Sequence, residues 1–125
     1  MSRFDRAVWA LYVLAALALL TGCAFEPTQD TPLEVKPWFR AQWDTAQACT
    51  GLRGRFEDLR FWRVAELDGG ETAGKTFGRD IYIAEGYEKY PLVIKHEMIH
   101  ALGVHGHPNT PFVLPCKATW ESART

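Results

Sequence analysis

Apolar positions recur along this chain with several rhythms, and each predicts a different element. From Ala7 to Leu20 the run is continuous, with 14 uncharged and mostly apolar residues in a row. From Trp38 to Ala48 (WFRAQWDTAQA), Phe39, Gln42, Trp43 and Ala46 fall at helical spacing with no breaker between them, which predicts a short helix ending near Cys49 ahead of Thr50-Gly51. Leu59 to Glu66 (LRFWRVAE) alternates instead, with Phe61, Arg63 and Ala65 on one face and Trp62 and Val64 on the other. After the turn-like Leu67-Asp68-Gly69-Gly70, Lys75–Phe77 and Ile81–Ala84 flank Gly78-Arg79-Asp80, the pattern of an antiparallel meander. The last rhythm is helical again. Pro91 suits a first turn and Gly103 an end, and Ile94, Met98 and Leu102 form an i, i+4, i+8 stripe. Leu92 and Ile99 are apolar too, leaving Lys95 and Glu97 as the only charges between Pro91 and Gly103, so this helix is expected to be buried on most sides. The predicted fold class is α+β: a small antiparallel sheet packed on the buried helix, with a second short helix near Trp38.

Composition narrows the class without naming a function. The chain has 125 residues, 47% apolar and 13% aromatic, which is too apolar for a disordered protein and enough for one small domain. A net charge of −1, without any basic run, argues against nucleic acid as a partner. Neither internal repeats nor a phosphate-binding loop is present, and Gly51 and Gly54 read as turn residues only.

The amino-terminal apolar run is too short to span a bilayer, which needs about 18–20 residues, and has the length of a signal-peptide core. It follows Arg3 and Arg6 and ends in Leu20-Thr21-Gly22-Cys23, which resembles the bacterial lipoprotein box. The expected organisation is therefore a signal peptide over 1–22, a lipidated Cys23 with a Pro-rich tether over 23–37, and a folded domain over 38–125. Acyl chains on Cys23 would hold the protein to a membrane, and Ala24 in place of Asp suggests the outer membrane, facing the periplasm. With Cys23 acylated, Cys49 and Cys116 have only each other, and an oxidising compartment favours their disulfide. Neither lies in a CxxC pair, so they are poor zinc ligands.

The candidate chemistry lies between His96 and His107, a stretch that holds all 4 histidines. His96-Glu97-Met98-Ile99-His100 reads H-E-x-x-H, expected by chance roughly 0.01 times in a chain of this composition. On a helix, i and i+4 share a face, so His96 and His100 can bind one metal ion while Glu97 reaches a water beside it. Zinc would lower the pKa of that water, and Glu97 would take its proton during attack on a carbonyl carbon.

The segment His96–Gly103 (H-E-x-x-H-x-x-G) resembles the zincin metallopeptidases, and the metzincin branch in particular. The resemblance covers about a tenth of the chain strongly. It implies a zinc-dependent peptidase with Glu97 as catalytic base and a peptide or protein substrate. A small bacterial lipoprotein with a buried HExxH helix and a closing disulfide would be a minimal version of it. The family spacing puts the third ligand at Gly106, with His105 one residue early and His107 one late. His107 is preferred, because Gly106 can take a left-handed turn and Pro108 stiffens the chain beyond it; His105 is the alternative, and a zincin of the glutamate-ligand type would use Glu121. The family's downstream methionine turn is absent, as Met98 is the only methionine after Met1. His105, Tyr82, Tyr87 and Tyr90 are open candidates for stabilising an oxyanion. By analogy, Asp80–Ala84 would be the strand bordering the cleft. The competing readings are a non-catalytic zinc-binding lipoprotein, closed by a fourth ligand, and a metal-free interaction lipoprotein.

Overall fold

The computed structural model describes residues 6–13 and 31–119. Residues 6–13 are helical, and among the described residues no helix is long and apolar enough to cross a membrane. Cys23 and Glu121 lie outside the described residues. The folded part runs β1 (Thr31–Pro32), α1 (Pro37–Thr50), β2 (Arg60–Val64), β3 (Gly74–Phe77), β4 (Asp80–Ala84), α2 (Pro91–Ala101) and a single irregular turn, α3 (Asn109–Phe112), in which Thr110 is extended. This is an α+β fold with one four-stranded sheet in the order β1-β2-β4-β3.

The sheet is mixed rather than antiparallel throughout. β3 and β4 form the expected hairpin, but β4 then pairs with β2 in parallel, Phe61 opposite Ile81 and Val64 opposite Ala84. The reason is burial. Ile81, Tyr82, Ile83 and Ala84 are all buried, so β4 needs cover on both faces and takes an inner position, whereas β3, with Lys75 and Thr76, tolerates the edge. The connection from β2 carries Leu67 beneath Tyr82 and Ala84, which delivers the chain to the far side of β4 before β3 begins. Asp80 also fixes the parallel register: Arg60 grips its carboxylate through two nitrogens at 2.8 Å, and Trp62 Nε1 donates to it at 3.0 Å.

Part of the segment read as a tether belongs to the sheet. Thr31 and Pro32 pair antiparallel with Arg63 and Trp62, and the Leu33 N–H donates to the Phe61 carbonyl at 2.9 Å. A proline is tolerated there because β1 is an edge strand and can spare a donor.

One face of the sheet receives both helices. α1 starts with Pro37 at its first turn and buries Phe39, Trp43 and Ala46, three of the four positions of the predicted stripe. α2 buries Val93, Ile94, Met98 and Ile99 between α1 and the β3–β4 hairpin, so its apolar circumference is accounted for. Phe39, Phe61, Ile81, Ile83 and these α2 residues form one core, with Phe112, Cys116 and Ala118 from the carboxy-terminal segment. Cys49 at the end of α1 is bonded to Cys116 across 67 residues of sequence.

Phe39 sits in the middle of this core, fully buried, with its ring 5.1 Å from that of Phe61. Phe39→Ala should therefore lower unfolding free energy by about 3–5 kcal/mol, while Val35→Ala, at a 46% exposed position, should stay within about 0.5 kcal/mol. Urea titrations followed by far-UV ellipticity measure both; near-equal losses would refute this placement of the core.

Candidate metal centre

The histidines are brought together by a helix and a reversal. On α2, His96 and His100 stand one turn apart, with ring centres 5.0 Å from each other. The helix then stops at Leu102, and Gly103 (φ +102°) and Gly106 (φ +67°) turn the chain back along left-handed backbone that favours glycine. His107 returns over the helix end as a result. Its Nε2 lies 3.1 Å from that of His96 and 3.2 Å from that of His100, and the latter two are 3.3 Å apart. Three histidines are thus close enough to hold one metal ion; His105, also on the cleft wall, is not part of this group.

The ring orientations follow from main-chain acceptors. His96 Nδ1 lies 2.7 Å from the Ala118 carbonyl oxygen, and His100 Nδ1 lies 2.8 Å from that of Val104. A carbonyl only accepts, so each Nδ1 carries the proton and each Nε2 turns a bare lone pair inward. Two lone pairs at 3.3 Å repel unless a cation sits between them. Burial reinforces the neutral state: it holds both His96 and His100 below the ordinary imidazole value, outweighing the carbonyl bonds that favour the cation. The fit to zinc is good, since tetrahedral bonds of about 2.0–2.1 Å separate neighbouring ligand nitrogens by about 3.3 Å.

Glu97 occupies the next position around α2 and faces β3. The Thr76 hydroxyl donates to its Oε2 at 2.7 Å. Glu97 is 5% exposed, and this desolvation pushes its carboxyl up to about 7, against the opposing pull of the Thr76 bond. Space for it is made by Gly74, where a Cβ would fall 2.7 Å from Glu97 Cγ and 3.0 Å from Oε1. The trio and Glu97 open onto a cleft of about 960 Å³, walled by β3 on one side and by residues 103–107 and Phe112 on the other.

Several expectations change at this cleft. Its bordering strand is β3, not Asp80–Ala84, because β4 is enclosed between β2 and β3. Of the oxyanion candidates, His105 lines the cleft; Tyr82, Tyr87 and Tyr90 do not, and Tyr82 is buried with Val64 and Ala84 on the other face of the sheet. Glu121 lies outside the described residues. Thr76, Gly74, Phe112 and the Val104 and Ala118 carbonyls escaped the sequence reading. Main-chain acceptors leave no mark in residue identity, and Thr76 reads as ordinary strand.

The raised carboxyl gives a pH-dependent stability in the metal-free protein. The unfolded chain releases the Glu97 proton near 4.5 and the folded chain near 7, so the folded state binds more protons in that window. The stabilisation from keeping Glu97 protonated is full below 4.5, falls as pH rises, and is lost above about 7. Glu97→Gln should accordingly gain on wild type by about 3 kcal/mol between pH 4.5 and pH 8 in urea unfolding. A gap that stays constant with pH would show that Glu97 titrates like an exposed carboxyl. Gly74→Ala should cost about 1–3 kcal/mol in the same assay, because Glu97 must move.

Compared with known proteins, the chain matches no family model, no curated protein and no solved structure.

Proposed function

We propose that this chain is a zinc-dependent peptidase of the bacterial cell envelope, held to a membrane through a lipidated Cys23 and facing the periplasm from the outer membrane. The observation that carries the catalytic part is the convergence of the His96, His100 and His107 Nε2 atoms beside the buried carboxyl of Glu97. The inward lone pairs of His96 and His100 suit zinc, and three protein ligands leave a coordination position for water or substrate. A purely structural site would close with a fourth protein ligand, and among the described residues only these three histidines converge.

A bound zinc would supply Lewis acidity, acidifying water and polarising a carbonyl oxygen. Glu97 would accept the proton of the attacking water and deliver it to the departing amine nitrogen. The edge strand supports an extended peptide as substrate. The Ala84 N–H donates to the Ala73 carbonyl, so by the alternation of an antiparallel ladder Lys75 and Phe77 also face β4. Gly74 and Thr76 then turn their main-chain groups outward along the cleft, next to Glu97, where an added strand can pair with them.

Glu97→Gln keeps the shape and removes the base, so zinc content should stay near wild type while hydrolysis of a quenched fluorescent peptide library falls by at least about 100-fold. His100→Ala should lose the metal itself. Paired metal analysis and activity assays on the purified chains decide the matter. If Glu97→Gln lost zinc as readily as His100→Ala, Glu97 would be a structural residue; a zinc-loaded wild type without hydrolysis would favour a non-catalytic zinc-binding lipoprotein.

A further inference from the structure

The segment Asn109–Ala118 makes two contacts that the metal centre depends on. The ring centre of Phe112, a buried residue, lies 4.7 Å from that of His96, 4.8 Å from His100 and 5.3 Å from His107, so one aromatic side chain supports all three imidazoles. Six residues on, the Ala118 carbonyl accepts from His96 Nδ1. The backbone N–H groups of the segment, by contrast, donate within it: Val113 and Leu114 to Asn109, Cys116 to Pro111 and Ala118 to Phe112. The sheet does not extend into it. Beyond the main chain itself, the covalent tie to the body of the fold is the Cys116–Cys49 bond, anchored on the last turn of α1 and placed in sequence between Phe112 and Ala118. His100 differs. Its acceptor, Val104, lies four residues away in the turn that ends α2, and that turn is closed by the Gly103 N–H on the His100 carbonyl.

We propose that Cys116, through its bond to Cys49, is a positioning residue of the histidine trio, holding Phe112 beneath the imidazoles and the Ala118 carbonyl against His96. The trio is then set only after the two thiols have been oxidised. Together they give up two protons and two electrons to a disulfide-bearing oxidant, which leaves as a dithiol. The affinity part of this inference rests on the trio being a metal site; the orientation of His96 does not.

The test compares the full chain with its Cys49→Ser/Cys116→Ser double variant, both shown by far-UV ellipticity to be folded at the working temperature. Zinc affinity, measured by competition with a chromophoric chelator, should weaken by about tenfold to a hundredfold in the variant, the range expected when a partner behind a metal ligand is lost. Long-range proton–nitrogen spectra of the metal-free proteins at pH 8 supply a readout that general destabilisation would not move. The His96 ring should lose its Nδ1–H tautomer preference while His100 keeps its own. A folded variant whose zinc affinity stays within roughly threefold of wild type, with His96 unchanged, overturns the proposal. Phe112→Leu, with the disulfide intact, carries the test should the double variant not fold: it should weaken zinc in the same direction, and an unchanged affinity overturns the proposal. If wild type binds no zinc, the metal reading fails by itself, and the His96 and His100 spectra still decide this one.

Discussion

Two main-chain carbonyls, those of Val104 and Ala118, determine which way the imidazoles of α2 present their lone pairs. An imidazole free to flip would offer Nδ1 or Nε2 indifferently, and the Nε2 atoms would not meet. With Nδ1 committed to a carbonyl, each ring has one orientation and one tautomer. That requirement reaches through the rest of the fold. The helix must end soon enough for Val104 to fall back on His100, the chain must reverse to return His107, and the segment after α3 must lie against His96. Each demand is met by a local feature: the Gly103 and Gly106 turns for the first two, and the buried Phe112 and the Cys49–Cys116 bond for the third.

Glu97 is governed by the neighbouring face of the same helix, the one turned to β3. A carboxyl that is 5% exposed is costly to ionise, and the Thr76 hydroxyl of β3 donates to it. A glycine at position 74 lets the strand approach closely enough to bury the carboxyl without a clash. The strand order contributes as well. Because β4 takes the inner position that its two-sided burial requires, β3 is left at the edge, where it can bound the cleft and contact α2. Thus the same apolar run that makes Ile81–Ala84 an inner strand places Gly74 and Thr76 beside the acid.

Much of this was legible in the sequence wherever burial produces periodicity. The stripe of Phe39, Trp43 and Ala46, the alternation over Phe61–Val64 and the apolar circumference of the helix around Met98 each reappear as an element in the expected place. The candidate site was legible to the same degree, because H-E-x-x-H is a local pattern whose geometry the helix supplies. Pairing of distant strands was not. Alternation tells which residues share a face but not which neighbour a strand chooses, so β2 against β4 in parallel had no signature beyond the two-sided burial of β4. Thr31–Pro32 was hidden by its proline-rich surroundings. Phe112 was hidden for another reason: one buried phenylalanine in a proline-flanked segment looks like any core residue until its three imidazole neighbours are seen.

The centre and the core are one packing unit. Phe112, Cys116 and Ala118 belong to the same buried cluster as Ile94, Met98 and Ile99, the residues that seat α2. A small domain has little apolar area to spare, and a separate scaffold behind the histidines would demand a second core that a chain of this size cannot build. The side chains that support the imidazoles must therefore also stabilise the fold. The economy has a physical consequence. The irregular stretch from Asn109 to Ala118 gains order from packing on α2, and α2 gains from that stretch an acceptor for His96 and an aromatic ring against its histidines. Neither arrangement is complete without the other. A disulfide at their junction limits the unfolded chain and ties the two arrangements together with a single bond, which counts in so small a domain.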